Sequence, residues 1–161
     1  MSDFDKKTVA AAIWEIWPTA ITTEPADADA YDALGTFVPV ASTISLPGMG
    51  DDTNYISITT LDEARDFSQF STVKGKEGVL SYLLKDSDAG QTAMDALTRK
   101  GNYAVRVTLN DATATTTATK LYQTGVIGAR GLPLGDNTAF VICEHTVAWN
   151  SGLIRRAPAA I

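Results

Sequence analysis

Tyr103-Ala104-Val105-Arg106-Val107-Thr108-Leu109 alternates without interruption. Tyr103, Val105, Val107 and Leu109 fall on one face and Ala104, Arg106 and Thr108 on the other, the period of a β-strand with a buried side. Downstream the same period returns twice. A Thr-rich turn at 113–117 leads to a predicted strand over 118–127, and a Gly-Pro loop at 128–137 leads to another over 138–149. The last strand sets Ala139, Val141, Cys143, His145, Val147 and Trp149 against Phe140, Ile142, Glu144 and Thr146.

Upstream, 78–85 is apolar on both sides, with Leu80, Tyr82 and Leu84 opposite Val79, Ser81 and Leu83. It is followed by the one helical pattern. Ala89, Ala93, Met94 and Leu97 form the stripe, Asp86 or Ser87 can cap it, and Gly101 follows the last turn. Asp88 early and Arg99-Lys100 late suit the helix dipole. Residues 37–46 alternate through Val38, Val40, Ser42, Ile44 and Leu46, with Pro39 marking an edge or a strand start. Pro47-Gly48-Met49-Gly50-Asp51-Asp52 reads as a turn and 54–61 as the returning strand, so these two strands predict a hairpin. Residues 9–17 favour a strand ended by Pro18, and 18–35 read as an acidic loop or arm. Residues 61–76 break the alternation and read as a long loop whose Phe67 and Phe70 need burial, a partner subunit being one place for it. Residues 151–161 read as a loosely held C-terminal arm. The expectation is a mainly β domain over 1–161, a β-sandwich or partly closed barrel of about seven strands with one helix.

Composition agrees. A chain of 161 residues and 17.1 kDa has room for one core. Its 21 threonines favour pleated surfaces over helices. A formal net charge of −6 argues against a grip on nucleic acid or anionic membrane as the main activity. The single Cys143 excludes an intrachain disulfide, and the single His145 leaves no histidine cluster for zinc. Glu15 interrupts the N-terminal apolar run, so neither a signal peptide nor a transmembrane span is read, and folding in a cytoplasm is expected.

Candidate chemistry is sparse. Cys143 and His145 share a strand face, yet they lie mid-strand among Val141, Val147 and Trp149, where core or interface burial is the ordinary reading. Asp86-x-Asp88-x-Gly90 starts like a calcium loop, but Leu97 occupies the twelfth position where a bidentate glutamate is needed; a helix cap explains the same residues. The glycine-rich stretch 125–135 lacks the Lys-Ser/Thr of a phosphate loop. Asp62, Glu63 and Asp66, with Arg65 among them, read as a solvated loop rather than a glycosidase pair. Trp14, Trp17 and Trp149 fall on strands, not along an exposed face as a carbohydrate-binding module requires. The expectation is no enzyme, no cofactor and no metal.

The order of local patterns over roughly 8–153 resembles phage tail tube proteins, the major tail proteins of long-tailed, non-contractile phages. It runs from Leu34-Gly35-x-Phe37-Val38 through Ile44-Ser45-Leu46-Pro47-Gly48 to Ile56-Ser57-Ile58-Thr59-Thr60-Leu61-Asp62-Glu63-Ala64-Arg65. Then come Val73-Lys74-Gly75, Gly78-Val79-Leu80-Ser81-Tyr82, Lys120-Leu121-Tyr122-Gln123-Thr124-Gly125-Val126-Ile127, and a last strand ending Trp149-Asn150-Ser151-Gly152. The resemblance implies a virion protein, assembled in the host cytoplasm, whose hexameric rings stack into a tube for DNA passage. It implies as partners further copies of the chain, a tape-measure protein and DNA in the channel, and tail-tip and tail-terminator proteins, with no membrane. It also makes the long loop the contact to the next ring, through Leu61, Asp62, Glu63, Arg65, Asp66, Phe67, Phe70 and Lys74. A tail terminator or a hexameric secretion-tube subunit is the alternative of the same kind.

Overall fold

The alternating segments become strands of one strongly curved antiparallel sheet. The computed structural model describes residues 10–58, 67–136 and 140–161. Its elements are β1 (Ile13–Ile16), α1 (Ala28–Asp32), β2 (Val38–Pro39), β3 (Thr43–Ser45), β4 (Asp51–Ile58), β5 (Phe67–Gly75), β6 (Glu77–Leu83), α2 (Ala89–Asp95), β7 (Tyr103–Thr108), β8 (Lys120–Ile127), β9 (Ile142–Trp149) and β10 (Ile154–Arg156). The main sheet runs β2-β1-β7-β8-β9-β6-β3, β10 adds to β8, and β4 and β5 pair only with each other.

The main sheet folds over on itself. Trp14 on β1 and Trp149 on β9 are three strands apart, about 14 Å in a flat sheet, yet their ring centroids lie 5.9 Å apart. Between the two halves lie Ile16, Leu80, Tyr82, Tyr103, Val105, Val107, Ile127, Cys143 and Val147, all buried. Alternation on β9 holds from Cys143 to Trp149, with Glu144 and Thr146 exposed. On β7 both faces are covered. Tyr103, Val105 and Val107 enter the main core, while Ala104 joins Tyr31, Phe37 and Tyr122 in a second cluster beneath α1.

Several expectations need correction. Residues 37–46 are not one strand: β2 pairs β1 at one end of the sheet, and β3 pairs β6 at the other. Val40–Ser42 carry the chain across, with Ser42 at φ +60. The two sheet ends are thus consecutive pieces of chain, but the ladder does not close into a barrel. Gln91 of α2 holds this crossing, donating to the carbonyls of Ala41 and Leu83 and accepting from Lys85 N–H. The expected hairpin of 37–46 with 54–61 does not form, because β3 already has β6 as its partner and residues 47–50 run over the core instead of turning back. Trp149 Nε1 donates to Gly48 O at 2.7 Å.

Within the expected loop 61–76, the segment Phe67–Gly75 is a strand paired along β4, so the true hairpin is β4–β5. The acidic arm contains α1, whose cap Asp27 accepts from Ala30 N–H at 2.8 Å. The cap of α2 is Asp88, not Asp86 or Ser87, and the helix stops before Arg99 and Lys100. The C-terminal arm is held, since β10 extends along β8 and Ala160 bridges Thr116. The totals are ten strands and two helices among the described residues, in place of about seven and one.

Candidate assembly surface

β5 runs straight into β6. Trp149 N–H donates to Lys76 O, continuing the β6–β9 ladder one step, and Lys76 N–H donates to Gly50 O. Beyond that point β5 leaves the sheet and continues with β4 as a two-stranded hairpin. Eight residues of β4 make it about 27 Å long at 3.4 Å per residue.

The root is rigid. Gly50 N–H donates to Gln123 Oε1, and Gln123 Nε2 donates to Gly50 O and Ser151 O, with Gln123 fully buried. Gly75 lies so close to β9 that an added Cβ would sit 2.0 Å from Trp149 O. Lys74 Nζ pairs with Glu77 Oε1 across the junction at 2.6 Å.

Register places the side chains of the hairpin. Thr53/Val73, Tyr55/Phe70 and Ser57/Ser68 share one face, with a bulge beside Tyr55. Asp52/Lys74, Asn54/Thr72, Ile56/Gln69 and Ile58/Phe67 share the other. Both faces therefore carry large apolar groups, and Tyr55, Ile56, Ile58, Phe67, Phe70 and Val73 are each 44–67% exposed. A two-stranded ribbon is marginal in water by itself, and an apolar surface of this size marks an interaction site. Neither apolar face is buried by the described residues of the chain itself.

Of the residues read from the sequence as contacts, Phe67, Phe70 and Lys74 stand on β5. Phe67 and Phe70 lie on opposite faces, and Lys74 is already paired within the chain. Leu61, Asp62, Glu63, Arg65 and Asp66 lie outside the described residues. Tyr55, Ile56, Ile58 and Val73 were missed as contacts, although apolar residues on both faces of 54–61 were the available signal.

Cys143 and His145 are core residues. Tyr82 O–H donates to His145 Nε2 at 2.9 Å, and His145 Nδ1–H donates to Gly128 O at 3.0 Å, which fixes a neutral tautomer. Burial pushes the imidazole below its ordinary value and the Cys143 thiol above its own. Asp88 spends its carboxylate on Gln91 N–H and Ala41 N–H, as a cap does. Among the described residues no group of three metal-ligating side chains assembles, and no helix is long and apolar enough to cross a membrane.

On the opposite sheet half, Arg106 donates twice to Glu15, at 2.7 and 2.8 Å, and reaches Asp32 at 3.2 Å. It also stacks over Phe37, 4.6 Å from the ring centroid. Asp32 further accepts from Tyr122 O–H and Arg156, binding α1 and β10 to the sheet. That face is thereby closed.

No protein-family profile matches the chain, and no characterised protein matches it in sequence. Solved structures do match in fold. The chain superposes on the SPP1 tail tube protein, from a hybrid solid-state NMR and cryo-EM structure, with a TM-score of 0.61 at 14% identity, covering 91% of this chain and 76% of that one. A chain of the anti-feeding prophage baseplate, solved with 6-fold symmetrisation, gives 0.62 at 11% identity over 98% of both chains. A chain of the sheath/tube terminator of the PVC extracellular contractile injection system gives 0.59 at 12% identity over 97% of this chain and 100% of that one. The fold is that of phage tail tube and injection-system tube proteins.

Proposed function

We propose that the protein is a structural tail component that assembles with copies of itself into stacked hexameric rings, forming a tube through which DNA passes into a host. The observation that carries this reading is the β4–β5 hairpin, rigid at its root and apolar on both faces. The sheet edge at β3 offers a further pairing site for a neighbour in a ring. The fold shared with tail tube structures and the 6-fold symmetry of the anti-feeding prophage assembly support the ring. In this reading Leu61, Asp62, Glu63, Arg65, Asp66, Phe67, Phe70 and Lys74 make the inter-ring contact.

Six copies at −6 each make a strongly acidic ring. Carboxylates along the channel repel phosphates, so DNA slides instead of sticking. Neither catalysis nor a cofactor is part of the reading. The tape-measure protein within the channel, and terminator and tail-tip proteins at the two ends, complete the tail. A terminating ring is the second reading, favoured by the likeness to the injection-system terminator.

Negative-stain electron microscopy with sedimentation at rising concentration tests both. Tubes of stacked rings about 100 Å wide are expected for six domains of this mass around a channel. Single rings that never stack favour the terminator. A monomer at every concentration overturns both readings.

A further inference from the structure

Two stretches that read as continuous strands, 9–17 and 37–46, are both broken in the fold, and the breaks face each other. The β1–β2 ladder pairs Ile16 with Val38 and Glu15 with Pro39, and Val40 N–H donates to Trp14 O at 2.9 Å. Carried on in that register, Ala12 comes opposite Ser42 and Ala11 opposite Thr43. The ladder stops short of them. Ala11 at φ +57 and Ser42 at φ +60 are the two non-glycine residues with positive φ among the described residues, a conformation that a Cβ disfavours. Each turns its own chain segment off the shared path. Beside them lies an apolar groove of about 790 Å³, whose walls include Ala11, Ala12, Thr43, Ile44, Val107 and Leu121.

β3 carries a third irregularity. Thr43 pairs with Tyr82 but Ser45 with Ser81, so one extra residue is taken up between them. Ile44 is left 54% exposed. If the Ser45–Ser81 register ran on without the bulge, Ile44 would stand opposite the buried Tyr82 and Thr43 opposite Leu83. The two registers would then agree. Val40, Ser42, Ile44 and Leu46 would share the inner face with Ala12 and Trp14, and Thr43 and Ser45 the outer face with Ala11. That is the alternation written into 37–46.

We infer that this seam is a two-state strap. In the closed state residues 11–12 zip onto 42–43, Ala11 and Ser42 relax to extended backbone, and Ile44 covers the groove. The open state keeps hydrogen bonds from Thr43 Oγ1 to Val40 O and from Leu83 N–H to Ser42 O; the closed state exchanges them for the Ala12/Ser42 pair. Gln91 and Asp88 hold Ala41 at the hinge in both. Closure also occupies the free edge of β3, so the strap guards that edge against premature pairing. This last role rests on the assembly proposed above.

Cross-linking tests the strap in the monomer. Trp14 and Val40 form a hydrogen-bonded pair, so closure puts Ala11 and Thr43 at a non-hydrogen-bonded one, with Cα atoms about 4.5 Å apart, which a disulfide spans. Ala11→Cys with Thr43→Cys then oxidises about tenfold faster than Ala11→Cys with Ile44→Cys, which closure sends to opposite faces. Cys143 is buried and stays silent. Equal rates, or no intramolecular disulfide, overturn the strap. Hydrogen exchange supplies the sign. Ala11→Val with Ser42→Val favours extended backbone and slows amide exchange at positions 12 and 42, whereas Ala11→Gly with Ser42→Gly speeds it. Early melting of the Ala11→Val, Ser42→Val chain without added protection overturns the strap as well. The oxidised Ala11→Cys, Thr43→Cys chain forms no tubes until it is reduced; tubes from the oxidised chain overturn the guarding role. A wild-type chain that never assembles overturns the ring reading, and the strap is still decided by cross-link and exchange.

Discussion

Gly75→Ala isolates the hairpin root. The new Cβ would lie 2.0 Å from Trp149 O and 2.6 Å from its carbonyl carbon, against a practical minimum of 3.0 Å. Backbone meets backbone here, so no side chain can swing aside and the strands must part by about 1 Å. Overpacking of this kind costs about 1–3 kcal/mol. Stretching the adjacent Trp149–Lys76 and Lys76–Gly50 bonds adds about 1 kcal/mol. At about 2–4 °C per kcal/mol for a domain of this size, the melting midpoint falls by roughly 5–15 °C. The displacement is also levered. A shift of about 1 Å within about 5 Å of the pivot turns the hairpin by about 11°, moving its far end by about 5 Å at a length of about 27 Å. Apolar contacts fail well before that, so assembly is lost even below the midpoint. The assay is calorimetry on the folded protein, with sedimentation and electron microscopy for assembly. Gly48→Ala, three residues before the hairpin with nothing within 4 Å of its added Cβ, is the control and is expected to behave as wild type. A Gly75→Ala protein that melts and assembles like wild type, or a Gly48→Ala protein equally damaged, would refute the reasoning.

Three further outcomes are expected. Tyr55→Ser with Phe70→Ser removes one apolar face of the hairpin and leaves the core untouched; thermal melting of the monomer stays within about 0.5 kcal/mol of wild type while sedimentation shows no assembly, and persistent tubes would remove this face from the interface. Burial holds His145 neutral in the fold, with its pKa below the ordinary 6.5, so the unfolded chain binds the extra proton and stability, complete above about pH 6.5, declines as pH falls, by at most about 1.4 kcal/mol per unit. Urea midpoints between pH 5.5 and 7.5 check this; His145→Gln flattens the curve, and an identical slope in that variant would assign the effect elsewhere. Asp32→Ala strips Tyr122 O–H and Arg156 of their shared acceptor, which costs about 2–4 kcal/mol and frees β10, so trypsin cleaves after Arg155 or Arg156 much faster than in wild type. Unchanged proteolysis would mean that the β8 ladder alone holds the arm.

What the sequence determined by itself is local. The period of two over 103–109 and 143–149 dictated strands and their buried faces, because successive side chains on extended backbone must alternate. The helical stripe after Asp86 and Ser87 dictated a capped helix, but the cap read there, Asp86 or Ser87, was displaced by Asp88 in the folded chain. The apolar neighbours of Cys143 and His145 marked them as core or interface residues, and the fold buries both in the core. Partnership was decided only in three dimensions. Backbone donors and acceptors are the same in every strand, so alternation says which face is buried but not which strand lies alongside; 37–46 reads as one strand and is divided between the two ends of a sheet that folds over. The same limit hid the hairpin. Ile56, Ile58, Phe67 and Phe70 are as apolar as core residues, and nothing in their order tells whether the surface that covers them belongs to their own chain. Only the tertiary structure, by filling the core with other side chains and leaving these four outside it, assigns them to the surface.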